Sequence, residues 1–370
     1  MTTTLRVVLD ALVQPAGDLA EASRELTTAL VRTAPSGCEV AALVPAAPDG
    51  AVAELRGQLP GIARIDTAPL GRRELAASWQ LGIATGAGGG MIHSPSLMAP
   101  LVRHDRAYDH DQTVVTVWDL TPWEAPDELP RATAMWHRSM LKRAVKHADA
   151  VVVPTHAHAQ RLAEFAKLGD RIRVIAGAAP AGFAVPTDEV GRRRALELPA
   201  QYVLIDGGRR DGLDAAFAAA ARAGGDLAVV VTDVTEEGAA AVADIASAAG
   251  LPEAHLHVRG RLDAADRAAV LGGAATVLAS STLTVFPWLV VEALAVGAPV
   301  VAAACEVHRE VIVDGGLLVD ASGDALAAGL AQALGSDAAR ARLAVLAGDR
   351  GRAFSWLGAA ERVWQLHAEL

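Results

Sequence analysis

HLHVRGRLDAADRAAVLGGAATVLASSTLTVFPWLVVEALAVGAPVVAA, residues 255–303, decides the fold. Its β-branched, apolar runs at 255–258, 276–279 and 299–302 are short, and Ala-rich stretches with helical spacing separate them. Short apolar strands alternating with amphipathic helices make a parallel sheet covered by helices. The same alternation continues outward in both directions. In the second half it places further strands at 202–205, 227–232 and 316–319, and in the first half at 5–9, 39–44, 91–93, 113–117, 150–153 and 173–176. The predicted class is therefore α/β with two Rossmann-like sheets.

Length and composition agree with two cores. A chain of 370 residues, 52% hydrophobic, exceeds what one core usually organises. Pro180, Gly182, Pro186 and Pro199 punctuate the stretch 178–200, which reads as a connection between domains. The expected division is a first domain over 1–183 and a second over 184–353. The closing segment 354–370 is an amphipathic helix carrying Trp356, Ala360, Val363, Trp364 and His367, and is expected to pack back on the first domain.

Several function classes fall away. No run of 18 purely apolar residues is present to span a bilayer, and the opening residues lack the basic start and long apolar stretch of a secretory signal; a cytoplasmic location is expected. Cys38 and Cys305 are far apart with no metal-type spacing, which excludes a disulfide framework or a zinc site. A net charge of −10 argues against nucleic acid as the main ligand.

The order of segments resembles glycosyltransferase family 4, whose members have the GT-B fold. VVTVWDLTPWEAPDELPR (114–131) resembles a first-domain strand and loop that usually carry His-Asp-Leu. ADAVVVPTHAHAQRLAEF (148–165) and RVIAGAAPAGF (173–183) are similar to the segments that follow, and YVLIDGGRRDGL (202–213) looks like the opening strand and Gly-rich turn of the donor domain. VFPWLVVEALAVGAPVVAA (285–303) is similar to "GFGLPVLEAMACGTPVVAS", VHREVIVDGGLLVDASGDALAAGL (307–330) to "lpEvvgdaallvdP.d.eala", and FSWLGAAERVWQL (354–366) to the closing "FSWe.aA..tl". The resemblance spans nearly the whole chain. It implies two Rossmann-like domains facing each other across a cleft, and transfer of a sugar from a nucleoside diphosphate donor, with retention, to an unidentified acceptor.

The residues themselves point the same way. A strand ending at Ile205, a turn with Gly207 and Gly208 and a helix from about Leu213 form an anion site. Arg209 and Arg210 in that turn suit a diphosphate; a pair of solvated arginines is the plainer reading. Glu292, a lone carboxylate in apolar surroundings, needs a partner. The resemblance makes that partner the donor ribose, and a structural role is the alternative. Asp119 ends a strand where open α/β sheets place ligands, or else caps its own loop; by resemblance it joins Arg209 as a catalytic candidate. Arg24, His93 and Trp118 are assigned to the acceptor side of the cleft, with a satisfied core histidine as the plainer account of His93.

Departures from the family pattern are as informative. Thr284 stands where a glutamate is usual, with seven residues between it and Glu292; Trp118 replaces the usual histidine and Asp211 the usual lysine. Glu21, Ala22 and Ser23 fall where a glycine-rich turn is expected. These replacements support an alternative reading, a catalytically inactive GT-B protein acting as a binding or partner subunit; nucleotide-sugar epimerisation is a weaker third. No metal and no cofactor beyond the donor is implied, because arginines and a helix N-terminus supply positive field. Arg138, Lys142 and Lys146 form a basic stripe on the helix expected over 131–148, which fits an anionic lipid, a phosphate-bearing and membrane-linked acceptor, or ordinary solvent. The run Gly86–Gly90 is expected to be a loop at the cleft rim.

Overall fold

The computed structural model describes residues 2–10, 12, 17–105, 108, 110–224 and 227–370. It divides into two compact units, Met1–Gly177 together with Ser355–Leu370, and Ala178–Phe354. The junction thus lies slightly ahead of the expected 183/184.

The first unit holds seven parallel strands: β1 (Thr3–Val8), β2 (Cys38–Val44), β3 (Arg64–Thr67), β4 (Met91–Ser94), β5 (Gln112–Thr116), β6 (Ala150–Val153) and β7 (Ile172–Val174), in the order β3-β2-β1-β4-β5-β6-β7. The second holds six: β8 (Tyr202–Asp206), β9 (Ala228–Thr232), β10 (Leu256–Val258), β11 (Thr276–Ala279), β12 (Val300–Ala303) and β13 (Leu317–Val319), in the order β10-β9-β8-β11-β12-β13. Both orders are doubly wound. Chain direction across each sheet reverses between β1 and β4 and between β8 and β11, and ligands of open α/β sheets bind outside the strand C-termini at such switch points.

Twelve of these strands fall on stretches read from the sequence; β3 is the addition. RIDT has one apolar residue and sits at the sheet edge, half-exposed, so it carries no buried-strand signal.

The central strands are buried on both faces, which is why they read as apolar runs. In the second unit, Val203 and Leu204 align with Val229 and Val230 on one side, and Thr276 and Val277 with Val203 and Leu204 on the other. Helices Leu213–Ala223 and Gly323–Leu334 cover this sheet with Phe217, Leu326 and Leu330, all fully buried.

The terminal helix, Trp356–Glu369, starts at Ser355, whose hydroxyl caps the Gly358 amide. It packs on helix Asp18–Arg32, where the Trp364 indole donates to the Leu30 carbonyl at 3.1 Å. An amphipathic helix detached in sequence from its unit thereby covers an apolar face that the first 177 residues leave open.

Two local expectations are corrected. Glu21, Ala22 and Ser23 lie inside helix Asp18–Arg32, with Ala22 and Ser23 buried, so they are not turn residues. The connection after β1 runs through residues 9–17, of which 11 and 13–16 lie outside the described residues. The Gly86–Gly90 run precedes β4, at the opposite end of the sheet from the switch point, and the Arg6 guanidinium donates to its Ala87 and Gly89 carbonyls.

Candidate functional site

The turn after β8 is built around close backbone approach. A β-carbon on Gly207 would lie 2.4 Å from Val234 Cγ2 and 2.6 Å from Val231 Cγ1. Gly212 has φ +78°, and its β-carbon would lie 2.4 Å from the Ser280 carbonyl oxygen. Glycine is therefore dictated twice, by strand crowding and by the left-handed backbone against the β11 loop. The Gly207 amide donates to Thr232 O at 2.8 Å and the Gly208 amide to Asp206 Oδ1 at 2.8 Å. Neither amide awaits a phosphate, contrary to the reading of this turn as a nest of open donors. The glycines shape the site without lining it electrically.

Arg209 and Arg210 part company. Arg209 is half-buried and its Nε donates to Asp211 Oδ1 at 3.2 Å; Arg210 is exposed. Asp211, placed where lysine was the pattern, is the organising group. Its carboxylate also accepts from Ser281 Oγ at 2.9 and 2.8 Å, from the Thr282 amide at 3.0 Å and from the Leu283 amide at 3.2 Å. Burial acts to raise its pKa, but the Ser281 and Leu283 hydrogen bonds and the Arg209 guanidinium outweigh it, and the carboxyl titrates below its ordinary value. Asp211 therefore ties the loop after β11 to the turn after β8, across the switch point.

Arg209, Asp211 and Ser281 line a hollow of about 40 Å³, with Asp206, Ser280, Thr284, Pro287 and His308 among the other walls. That volume holds a water or two. His308 is buried and its Nδ1 lies 2.7 Å from the Ala303 carbonyl, which fixes Nδ1 as the protonated nitrogen. Sequence reading missed His308, although its position on the face of Val311 and Ile312 in helix Glu306–Ile312 marks it as inward-facing.

Glu292 is placed differently from the expectation. It sits in the middle of helix Trp288–Val296 and is 6% exposed. Its partner is Arg267 on helix Ala264–Gly273. Arg267 Nε lies 3.1 Å from both carboxylate oxygens and Nη2 2.7 Å from Oε1, while Nη1 donates to the Leu262 carbonyl at 3.1 Å. The Phe183 ring lies 5.9 Å from this guanidinium. The forked pairing satisfies a buried carboxylate that would otherwise be costly to bury. Neither Glu292 nor Arg210 lines the hollow that contains Arg209. Arg267 shares a helix face with Val270 and Leu271; an arginine on an apolar stripe was the available signal that Glu292 already had a partner.

The candidates in the first unit each contact other protein groups. Asp119 is exposed and accepts from the Thr121 amide at 2.9 Å and the Thr121 hydroxyl at 2.6 Å, tying the loop that enters helix Thr121–Glu124. Trp118 donates its indole N–H to the Pro95 carbonyl at 3.0 Å and meets Trp356 edge-on, 6.5 Å between centroids. Arg24 lies between two carboxylates, Glu21 at 3.6 Å and Glu25 at 3.9 Å. His93 is fully buried on β4, and its ring meets His367 of the terminal helix at 5.7 Å. Burial first, and then the charge of His367, hold the His93 pKa well below its ordinary value, so it stands in the core as a neutral imidazole.

Residues 209–347 match the family model described as glycosyl transferases, group 1. That match lies wholly within the second unit. The whole chain shares its fold with sucrose-phosphate synthase from Thermosynechococcus elongatus, at TM-score 0.72 and 18% identity over 99% of this chain and 98% of that one. It is similarly matched by Anabaena HepE, solved in complex with UDP and glucose, at TM-score 0.71 and 15% identity over the full length of both chains. A glycosyltransferase from Rickettsia africae matches at TM-score 0.66 and 16% identity over 100% of this chain and 98% of the other. No sequence among the curated proteins matches. The architecture is accordingly GT-B, two doubly wound Rossmann-like units. No helix among the described residues is long and apolar enough to cross a membrane.

Proposed function

We propose that this protein is a glycosyltransferase that takes a sugar from a nucleoside diphosphate donor and passes it, with retention, to an acceptor. The observation that carries the reading is Arg209, held half-buried at the β8/β11 switch point of a group 1 glycosyl transferase domain. A guanidinium there, with the hydroxyls of Ser281 and Thr284 on the same wall, meets the charge that develops on a departing diphosphate. Asp211 holds Arg209 through Nε at 3.2 Å, and on this reading the guanidinium turns its fork to the phosphate oxygens when donor binds. A diphosphate does not fit the 40 Å³ hollow as it stands, so donor binding on this reading requires the Ser281–Thr284 loop to yield. The chemistry needs no metal beyond these donors, and chelator is expected to leave turnover unchanged.

A second reading is favoured by the Glu292–Arg267 pair. A carboxylate already gripped by a buried arginine has few acceptor positions left for a ribose, and drawing it off that arginine costs about 3–5 kcal/mol. On this reading the chain is a GT-B binding or partner subunit with no turnover. The two are separated by incubating the protein with UDP-, GDP-, ADP- and dTDP-linked sugars and measuring slow release of free sugar. Release that Arg209→Ala abolishes supports the transferase. Nucleotide binding without release under any acceptor supports the partner subunit, and no stabilisation by any nucleotide overturns the donor site itself.

A further inference from the structure

The first unit contains a second, larger cavity of about 640 Å³, lined from the β4–β5 connection, from the residues just before β6 and β7, and from the end of the terminal helix. All three strand segments are at N-terminal ends, so the cavity lies at the opposite end of the sheet from its switch point and shares nothing with the Arg209 hollow.

Its charges are unevenly committed. Helix Arg131–His147, which contains no acidic residue, ends here with Lys146 and His147 on the cavity wall. The negative end of that helix would repel an anion. Arg171 cancels it, donating from Nη1 to the Ala148 carbonyl at 2.8 Å and from Nη2 to the Val145 carbonyl at 2.7 Å. Asp149 is occupied as well, accepting from His104 Nε2 at 2.8 Å and from the Thr113 amide at 2.7 Å. Asp170 and Glu369 are exposed at the rim, where water and salt weaken their opposition. Arg103 and Lys146 are exposed on the wall and have no acid partner among the described residues.

We infer that this cavity is a binding site for a phosphate-bearing ligand, with Arg103 and Lys146 as its charged contacts and His147 beside them. Two unpaired cations on a polar, walled cavity, with the neighbouring helix end and the nearest inward carboxylate both neutralised, select an anion rich in oxygen acceptors. The same chemistry is offered by a free phosphorylated molecule and by the headgroup of an anionic lipid.

The test uses the full chain carrying Arg209→Ala, so that the hollow after β8 contributes no phosphate signal. Inorganic diphosphate is titrated by calorimetry, and sedimentation is measured with phosphatidylglycerol and with phosphatidylcholine vesicles. Adding Arg103→Gln and Lys146→Gln is expected to weaken whichever interaction is seen by about tenfold or more, while Arg103→Lys keeps most of it. Loss of diphosphate binding identifies a soluble phosphate ligand. Loss of phosphatidylglycerol binding in a protein that binds no diphosphate identifies a lipid headgroup. Binding of either probe that the double glutamine variant leaves intact, or no binding of either probe, overturns the inference. Unchanged thermal unfolding of the glutamine variant excludes loss of fold as the cause.

Discussion

Replacing Glu292 by Gln isolates the tension between fold and function in the second unit. The carboxylate and the Arg267 guanidinium are 8% and 9% exposed and make three N···O contacts of 2.7–3.1 Å. Glutamine keeps the shape but removes the charge, so that Arg267 stays buried without the carboxylate it pairs with. Removing one partner of such a pair costs about 3–5 kcal/mol. At the roughly 2–4 °C per kcal/mol typical of units of this size, the transition of the second unit is expected to fall by about 6–20 °C. Differential scanning calorimetry resolves that transition from the first unit's, and urea unfolding followed by a probe in the second unit gives the free energy. The double variant Arg267→Leu with Glu292→Leu is expected to recover most of the loss, because no lone charge remains buried. A drop below about 1 kcal/mol in Glu292→Gln, accompanied by tenfold weaker nucleotide binding, would refute the argument and return Glu292 to the ribose role.

Other outcomes follow from the same geometry. Asp211→Ala removes the acceptor for Ser281, Thr282 and Leu283; the second unit should lose about 1–3 kcal/mol and the 282 and 283 amides should exchange faster with deuterium, whereas unchanged exchange would contradict the tie. Gly212→Ala, at φ +78° against the Ser280 carbonyl, is expected to cost more than the about 1 kcal/mol of an ordinary strained glycine site; a neutral result by urea unfolding would show that the β11 loop moves freely. Burial lowers the His367 pKa to about 4 and that of His93 well below 6.5, so unfolding takes up protons as pH falls below 6.5. First-unit stability is therefore complete above that value and is lost towards pH 4, with a slope of about 1.4 kcal/mol per pH unit for each histidine; denaturation curves at several pH values should show a shallower slope in His367→Phe, and an identical slope would contradict the assignment.

Much of the architecture was legible because parallel strands buried on both faces write themselves as apolar runs. Residues 150–153 and 276–279 were placed at their observed bounds for that reason. Arg64–Thr67 was not, because an edge strand needs only one covered face. The site was legible in its backbone and less so in its charges. Gly207 and Gly208 mark the turn in the sequence, and crowding at Gly207 and Gly212 requires glycine there. Glu292 stands out in the sequence as a carboxylate in need of a partner and Asp211 only as a departure from the family pattern, and their partners, Arg267 and Ser281, lie 25 and 70 residues away in sequence. Pairings at that separation depend on how helices seat on the sheet, which periodicity does not specify. Asp119 and Trp118 show the same limit: periodicity does not specify their contacts with Thr121 and with the Pro95 carbonyl and Trp356.

The most direct measurement is a crystal structure of the protein soaked with the nucleoside diphosphate that best stabilises it. The account predicts phosphate density within hydrogen-bonding reach of Arg209 at the β8/β11 switch point, with the 281–284 loop displaced and Glu292 still bound to Arg267. Density elsewhere, or Arg209 pointing away from the phosphates while still paired to Asp211, would contradict it.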